Sequence, residues 1–249
     1  MSSVLETRRL CKSFGALTVA ANIDFTLEAG ARHALIGPNG AGKTTFVNLL
    51  TGRLEPSSGS VLLGGEDVTR LAQSGRVKRG LGRTFQINTL FGDMSVLDNV
   101  ALGVAERHGT ANRLWQPARA FSAVRDEAMA LLAMLGIADE AERPVLDLPY
   151  GKQRLVEIAI ALGLKPRVLL LDEPAAGVPS VESGRILEAL DSLPKEIAIL
   201  IIEHDMDLVF RFARRITVLV QGEVLCEGTP DEIAKDARVR QVYLGEQDA

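Results

Sequence analysis

The stretch that decides the fold is RHALIGPNGAGKTTFVNLLTG, residues 32–52. RHALIG is a short apolar run that stops at glycine, as buried parallel strands do, and KTTFVNLLTG reads as a helix closed by Gly52. Between them lies GPNGAGKT (37–44), a complete G-x-x-x-x-G-K-T. Glycines at those positions let the backbone wrap closely around phosphate oxygens with its N–H groups turned inward. The helix starting near Lys43 adds the positive end of its dipole, and Lys43 supplies a mobile cation. The Thr44 hydroxyl is an oxygen donor for magnesium.

Outward from this loop, strands and helices alternate. NIDFTLEAG (22–30) has the apolar–polar alternation of a half-exposed strand, and GSVLLGGEDV (59–68) reads as a hairpin turning at Gly64-Gly65. From about 94 to 137 the periodicity is helical, and VRDEAMALLAMLGI (124–137) places Val124, Ala128, Leu131, Leu132 and Leu135 on one face. RVLLLDEP (167–174) and IAILIIEHD (197–205) are two more buried strands, and ITVLVQGEVLCEG (216–228) is a hairpin turning at Gln221-Gly222. No repeat or low-complexity linker is present. Asp172 and Glu173 end a strand dominated by leucine, where acids are costly to bury; a magnesium ion beside them, or a cap on the next helix, accounts for them.

Composition removes several classes of function. With 249 residues, 47% of them hydrophobic, the chain can bury a sizeable core. Lys and Arg number 28 against 32 for Asp and Glu, so no net basic field gathers nucleic acid, which is not an expected partner. Cys11 and Cys226 are too few for a disulfide framework or a metal knuckle and suit a reducing compartment. The opening MSSVLETRRL lacks the apolar centre of a secretion signal, and apolar runs such as IAILII (197–202) are far below the roughly 20 residues that span a bilayer. The expectation is a chain that does not cross a membrane by itself.

Three further features matter through their order. Gln86 sits in RTFQ (83–86), LPYGKQR (148–154) opens a helix that presents backbone N–H groups to a second anion, and His204 ends the strand after the acidic pair. Singly, Gln86 has ordinary use as a loop hydrogen bonder and His204 as a strand-end cap. Together with GPNGAGKTT they make nearly the whole chain resemble the ATP-binding subunits of ABC transporters. Gln86 matches the Q-loop, LPYGKQ the signature, VLLLDEP the magnesium strand and His204 the switch histidine. The resemblance implies an α/β fold: a P-loop NTPase (RecA-like) core with a mainly parallel sheet, an antiparallel β subdomain and a helical subdomain. It implies one domain over 1–249, with 1–92 and 150–249 forming the nucleotide-binding core and about 93–149 the helical part.

The same resemblance implies ATP and Mg2+ as cofactors. Phe14 corresponds to the aromatic that stacks on adenine, its alternative being a plain core side chain. Gly37, Pro38, Asn39, Gly40, Ala41, Gly42, Lys43, Thr44 and Thr45 surround the phosphates, with Thr44, Gln86 and Asp172 around magnesium. Glu173 is the expected general base, His204 holds the γ-phosphate and water in line, and Lys43 completes the catalytic set. Tyr150, Gly151, Lys152 and Gln153 belong to the signature, which in this family covers the ATP of a second subunit. His33 and His108 carry no motif and are assigned turn or surface roles.

Within the superfamily the likeness is nearest to ATPase subunits of importers for branched-chain amino acids and related compounds, carried by GLGRTFQINTLFGDMSVLDNVALG, DEPAAG and GTPDEIAKDARVRQVYLGE. That implies a second ATP-binding subunit in a heterodimer, membrane permease subunits, an external binding protein acting indirectly, and a place on the cytoplasmic face of the inner membrane. The permease would dock near Gln86, Leu90, Phe91 and Met94, residues that buried packing would explain equally. A lipopolysaccharide-exporter ATPase and a soluble ABC-type ATPase are the alternatives. Two departures stand out: Pro149 replaces the usual signature serine, removing a hydroxyl donor, and Pro179-Ser180 replaces Asn or Asp followed by Pro.

Overall fold

The chain opens with two long strands, β1 (Ser3–Phe14) and β2 (Leu17–Glu28), and the buried run before the glycine loop is β3 (Arg32–Ile36), followed by α1 (Lys43–Thr51). β4 (Ser58–Leu63), β5 (Glu66–Asp67), α2 (Gln73–Val77) and β6 (Leu81–Arg83) come next. α3 (Val96–Arg107), α4 (Ala118–Met134), α5 (Tyr150–Gly163), β7 (Val168–Asp172) and α6 (Ser180–Asp191) form the middle of the chain. β8 (Ala198–Ile202), α7 (Met206–Phe212), β9 (Arg215–Val220), β10 (Glu223–Gly228), α8 (Pro230–Lys235) and α9 (Ala237–Leu244) complete it. The computed structural model describes residues 3–84, 90–109 and 118–244. It divides into two compact units, residues 1–81 with 195–249, and residues 82–194.

In the first unit β3 lies parallel to both β8 and β9, in the order β10-β9-β3-β8, and all five of its residues are buried. A strand covered on both edges and both faces leaves no position for an unpaired polar group, and His33 shows how one is accommodated. Its Nε2 lies 2.8 Å from Thr217 Oγ1 and its ring stands edge-on to Phe25. The turn or surface role expected for His33 is therefore wrong: the histidine is a core residue whose partner comes from 184 residues further along the chain. Burial pulls its pKa down to about 4, so it is neutral in the fold. His108, by contrast, sits at the surface beside Glu127.

The other sheet of this unit is antiparallel, ordered β2-β1-β4-β5. β1 escapes simple alternation because Arg9 has a φ of 43° and the register shifts between Thr7 and Leu10. The buried positions therefore run Leu5, Thr7, then Leu10, and the bulge restores the inward face after two exposed arginines. Both hairpins turn where the sequence places them. Gly64 and Gly65 have φ of 58° and 84°, and Gln221 and Gly222 have 49° and 82°, the paired positive angles of a type I′ turn.

In the second unit β6 neighbours β7, and four leucine or valine residues of β7 are fully covered. Each such side chain contributes about 1.5–3 kcal/mol relative to exposure. α5 packs against α3, α4 and α6. It meets α3 closely because neither helix has a side chain at the contact: a Cβ on Gly103 would lie 2.7 Å from Ile160 O, and one on Gly163 3.1 Å from Val104 N. Of the face read on α4, Val124, Ala128 and Leu132 are buried and Leu131 only half-buried; Leu135 is buried just past the last turn.

Candidate functional site

In the first unit the glycine loop is shaped by what surrounds it. Gly37 has φ 157° and a Cβ there would lie 2.1 Å from Leu219 O; Gly42 has φ 100° and its Cβ would lie 2.7 Å from Val19 O. No other residue fits either place. Gly40, at φ 76°, has open space where a side chain would be and is exposed, as is Asn39. Ala41 is buried, its N–H donating to Pro38 O at 3.1 Å. The α1 ladder begins with the Phe46 N–H donating to Gly42 O at 2.8 Å, so the amides of Lys43, Thr44 and Thr45 precede the first helical bond and carry the positive end of the dipole. No acidic side chain in the first turn cancels that field. Lys43 Nζ donates to Gly37 O at 2.5 Å and Pro38 O at 3.0 Å, arching over the loop. The Thr44 side chain is exposed and Thr45 half-buried.

The loop rests on the distant β9–β10 turn. The Gly222 N–H donates to Ala41 O at 2.9 Å, and Gly222 O accepts from the Ala21 N–H at 2.9 Å. A Cβ on Gly222 would sit 2.6 Å from Val19 O. Gly222 is thus a positioning residue that the sequence reading treated only as a turn; nothing in a single sequence ties residue 222 to residue 41.

At the end of β8, His204 exposes about two thirds of its side chain, whereas Glu203 beside it is 1% exposed. The His204 N–H donates to Glu203 Oε2 at 3.1 Å, and the imidazole Nδ1 lies 3.8 Å from the same oxygen. The buried carboxylate fixes the backbone from which the histidine projects, a role the sequence reading did not give it. Phe14 is no core side chain: it is 52% exposed, with Lys12 Nζ 5.1 Å from its ring centroid, and offers a flat apolar face.

The second unit carries the other elements. Asp172 is half-buried, and Arg83 Nη2 donates to its carboxylate at 2.8 Å. Glu173 is exposed and has φ 46°, a left-handed conformation costing a non-glycine residue about 1 kcal/mol or more. Such strain in a residue that ends an apolar strand marks a side chain whose direction matters. Gln86 lies outside the described residues. Just after it, buried Asn99 accepts from the Phe91 N–H and donates to Phe91 O and Ser95 O. This clamp holds Phe91 58% exposed, with Leu146 67% exposed nearby in sequence to the signature. Leu90 and Met94 are half-buried.

The signature segment begins α5 with Pro149 as N-cap and no side-chain cap bond. The Lys152 and Gln153 amides both donate to Pro149 O, leaving the Tyr150 and Gly151 amides ahead of the ladder. Lys152 is held by Glu140, and Gln153 Nε2 donates to Leu148 O at 2.9 Å. Tyr150 packs beside Gly177 and under the guanidinium of Arg154, which bonds its hydroxyl at 3.2 Å. Arg154 and Glu157 form a buried pair at 2.9 Å, and burial pushes the Glu157 carboxyl up to about 7 against the pull of Arg154.

The donors suit magnesium chemically. Thr44 in the first unit offers a hydroxyl and Asp172 in the second a carboxylate, each a hard oxygen of the kind magnesium takes. Among the described residues no group of three or more His, Cys, Asp or Glu side chains could hold a metal.

Comparison with known proteins gives concordant matches. A family profile described as "ABC transporter" matches residues 20–176, and one described as "Branched-chain amino acid ATP-binding cassette transporter" matches residues 223–249. The chain is 37% identical over 250 residues to the high-affinity branched-chain amino acid transport ATP-binding protein LivG of Escherichia coli, covering 98% of each. It is 37% identical over 251 residues to the corresponding BraF protein of Pseudomonas aeruginosa, again covering 98% of each. A crystal structure of the ADP conformation of MJ1267, an ATP-binding cassette of an ABC transporter, superposes with a TM-score of 0.86 at 28% identity, covering 98% of this chain and 100% of that one.

Proposed function

The chain belongs to the ABC transporter family of ATP-binding cassettes, and from that premise we propose that it is the ATP-hydrolysing subunit of an importer for branched-chain amino acids or related small compounds. The observation that carries the cargo class is identity to LivG along almost the entire chain, supported by the separate match of the tail at 223–249.

The proposed cycle follows from the two anion-facing helix starts. The 37–45 loop holds the phosphates of ATP with its amides and Lys43, Phe14 stacks on the base, and the Tyr150–Gln153 start of α5 covers the phosphates bound by a second ATP-binding subunit. Magnesium, when bound, neutralises phosphate charge, with Thr44, Asp172 and Gln86 as its holders. Glu173 accepts the proton of the attacking water and His204 keeps that water in line with the γ-phosphate. Because the γ-phosphate is gripped from both subunits only while it is attached, hydrolysis removes the contact that favours the closed pair. Pro149 lacks a hydroxyl donor, so the site covered by this chain's signature is the weaker of two in a heterodimer.

No helix among the described residues is long and apolar enough to cross a membrane. As an importer ATPase the subunit works as a peripheral protein on the cytoplasmic face of the membrane, joined to permease subunits through the Phe91 region and served indirectly by a binding protein. Residues about 93–149 act as its helical subdomain. The test is reconstitution with its permeases and binding protein in vesicles. ATP turnover and uptake should rise when the binding protein carries leucine, isoleucine or valine; indifference to all three would overturn the cargo class. Glu173→Gln should bind ATP and stall, and unchanged turnover would remove Glu173 from the mechanism.

A further inference from the structure

Beside the signature, and wholly within the second unit, lies a cavity of about 630 Å3. That size falls in the range of small-molecule sites. Its floor is apolar and well covered: Leu135, Ile137, Leu155, Ile186 and Ala189 are each under a tenth exposed. α6 runs along one wall and points Glu182, Arg185 and Glu188 at it, spaced three residues apart. Side chains at that spacing are helical neighbours that commonly pair, yet none of the three makes an ion pair among the described residues. Lys152, the other cation in the wall, is already engaged by Glu140. The cavity therefore offers one uncommitted guanidinium, flanking carboxylates and an aliphatic floor.

We propose that this cavity binds an α-amino acid with an aliphatic side chain. Arg185 takes the α-carboxylate in a two-pronged contact, the half-buried Glu182 takes the α-ammonium, and the aliphatic chain lies on the floor. The walls carry no aromatic ring to stack on a base, and carboxylates flanking the guanidinium suit a zwitterion, whose ammonium they can take, better than a phosphate. A fatty acid would leave Glu182 unmatched, and an amine would leave Arg185 unmatched. Pro149 and Gly151 form part of the same wall, so occupancy bears directly on the first turn of α5. A cargo-like ligand here would tune the signature from inside the cell; that consequence, though not the binding itself, rests on the importer reading.

Calorimetry on the purified full chain tests it with L-leucine and two analogues: isocaproate, which lacks the ammonium, and isoamylamine, which lacks the carboxylate. L-leucine should bind, and each analogue should be weaker by about tenfold or more, the loss of one charge-assisted contact. Arg185→Ala should abolish leucine binding with an unchanged melting profile, and Arg185→Lys should restore part of it. Absence of leucine heat, equal binding of the three compounds, or unaltered binding by Arg185→Ala overturns the site. A complex that imports leucine through a subunit that binds none overturns only this proposal; leucine binding by a subunit whose complex moves no amino acid overturns only the importer reading.

Discussion

At the start of α1 two glycines leave backbone oxygens 2.1 and 2.7 Å from where a Cβ would be, a buried alanine is bonded on both sides, and the first turn carries no acid. At the start of α5 stands Pro149 with no side-chain cap, and the Glu182 carboxylate lies 2.5 Å from where a Cβ of Gly151 would be. The first cradle is finished by its own chain. The second is a bare helix end with an acid of its own chain beside it.

The sharpest way to break this contrast is to remove the cation of the first cradle. Lys43→Ala should lower phosphate release by the assembled complex about 100-fold or more, the scale on which single electrostatic stabilisers act. If turnover instead survived with only a small loss, the two helix starts would be equals.

That asymmetry was legible in part. The loop could be read because all of its parts are local: strand, glycines, lysine and helix lie within about twenty residues of sequence, and each residue type has one physical use there. The α5 start could be read as a helix, and Pro149 as a missing hydroxyl. Its acidic neighbour could not, because Glu182 reaches it through an intervening strand and loop. The same limit hid β1, whose bulge at Arg9 breaks the two-residue period, and it misplaced His33, whose hydroxyl partner Thr217 is invisible until β3 and β9 pair.

Acid and base should part the two units next. His33 has a folded pKa of about 4, below its free value, so the unfolded chain binds the extra proton between about pH 6.5 and 4. Stability of the first unit is full above that window and falls as pH drops through it, by about 3 kcal/mol in all. Glu157, at about 7, is raised, so the folded chain holds the extra proton between about pH 4.5 and 7. Its contribution is present at low pH and is lost as pH rises. Urea unfolding followed across pH should show the acid limb vanish in His33→Gln and the upper limb flatten in Glu157→Gln; identical profiles in both variants would show that neither group carries the dependence.

A smaller effect should come from the support beneath the loop. Gly222→Ala places a Cβ at a φ of 82° and against Val19 O, costing about 1–2 kcal/mol from the backbone conformation alone. Nucleotide affinity, measured by fluorescent-analogue titration, should fall more than the melting temperature predicts, because Ala41 loses its anchor. The smallest change is the one that repairs the second cradle. Pro149→Ser should raise turnover of the complex by about tenfold, the low end of what one hydrogen bond to a charged group is worth. No rise would mean that the amides from Tyr150 onward already do the holding.

The bond from Gly222 to Ala41 also sets an order of events during synthesis. β3 takes its two edges from β8 and β9, and the loop it delivers is propped by a turn that leaves the ribosome long after the loop itself. A nascent chain carries the entire GPNGAGKTT motif long before it owns a rigid one. A product truncated before Gly222 carries the motif without the bond to Ala41 that props it.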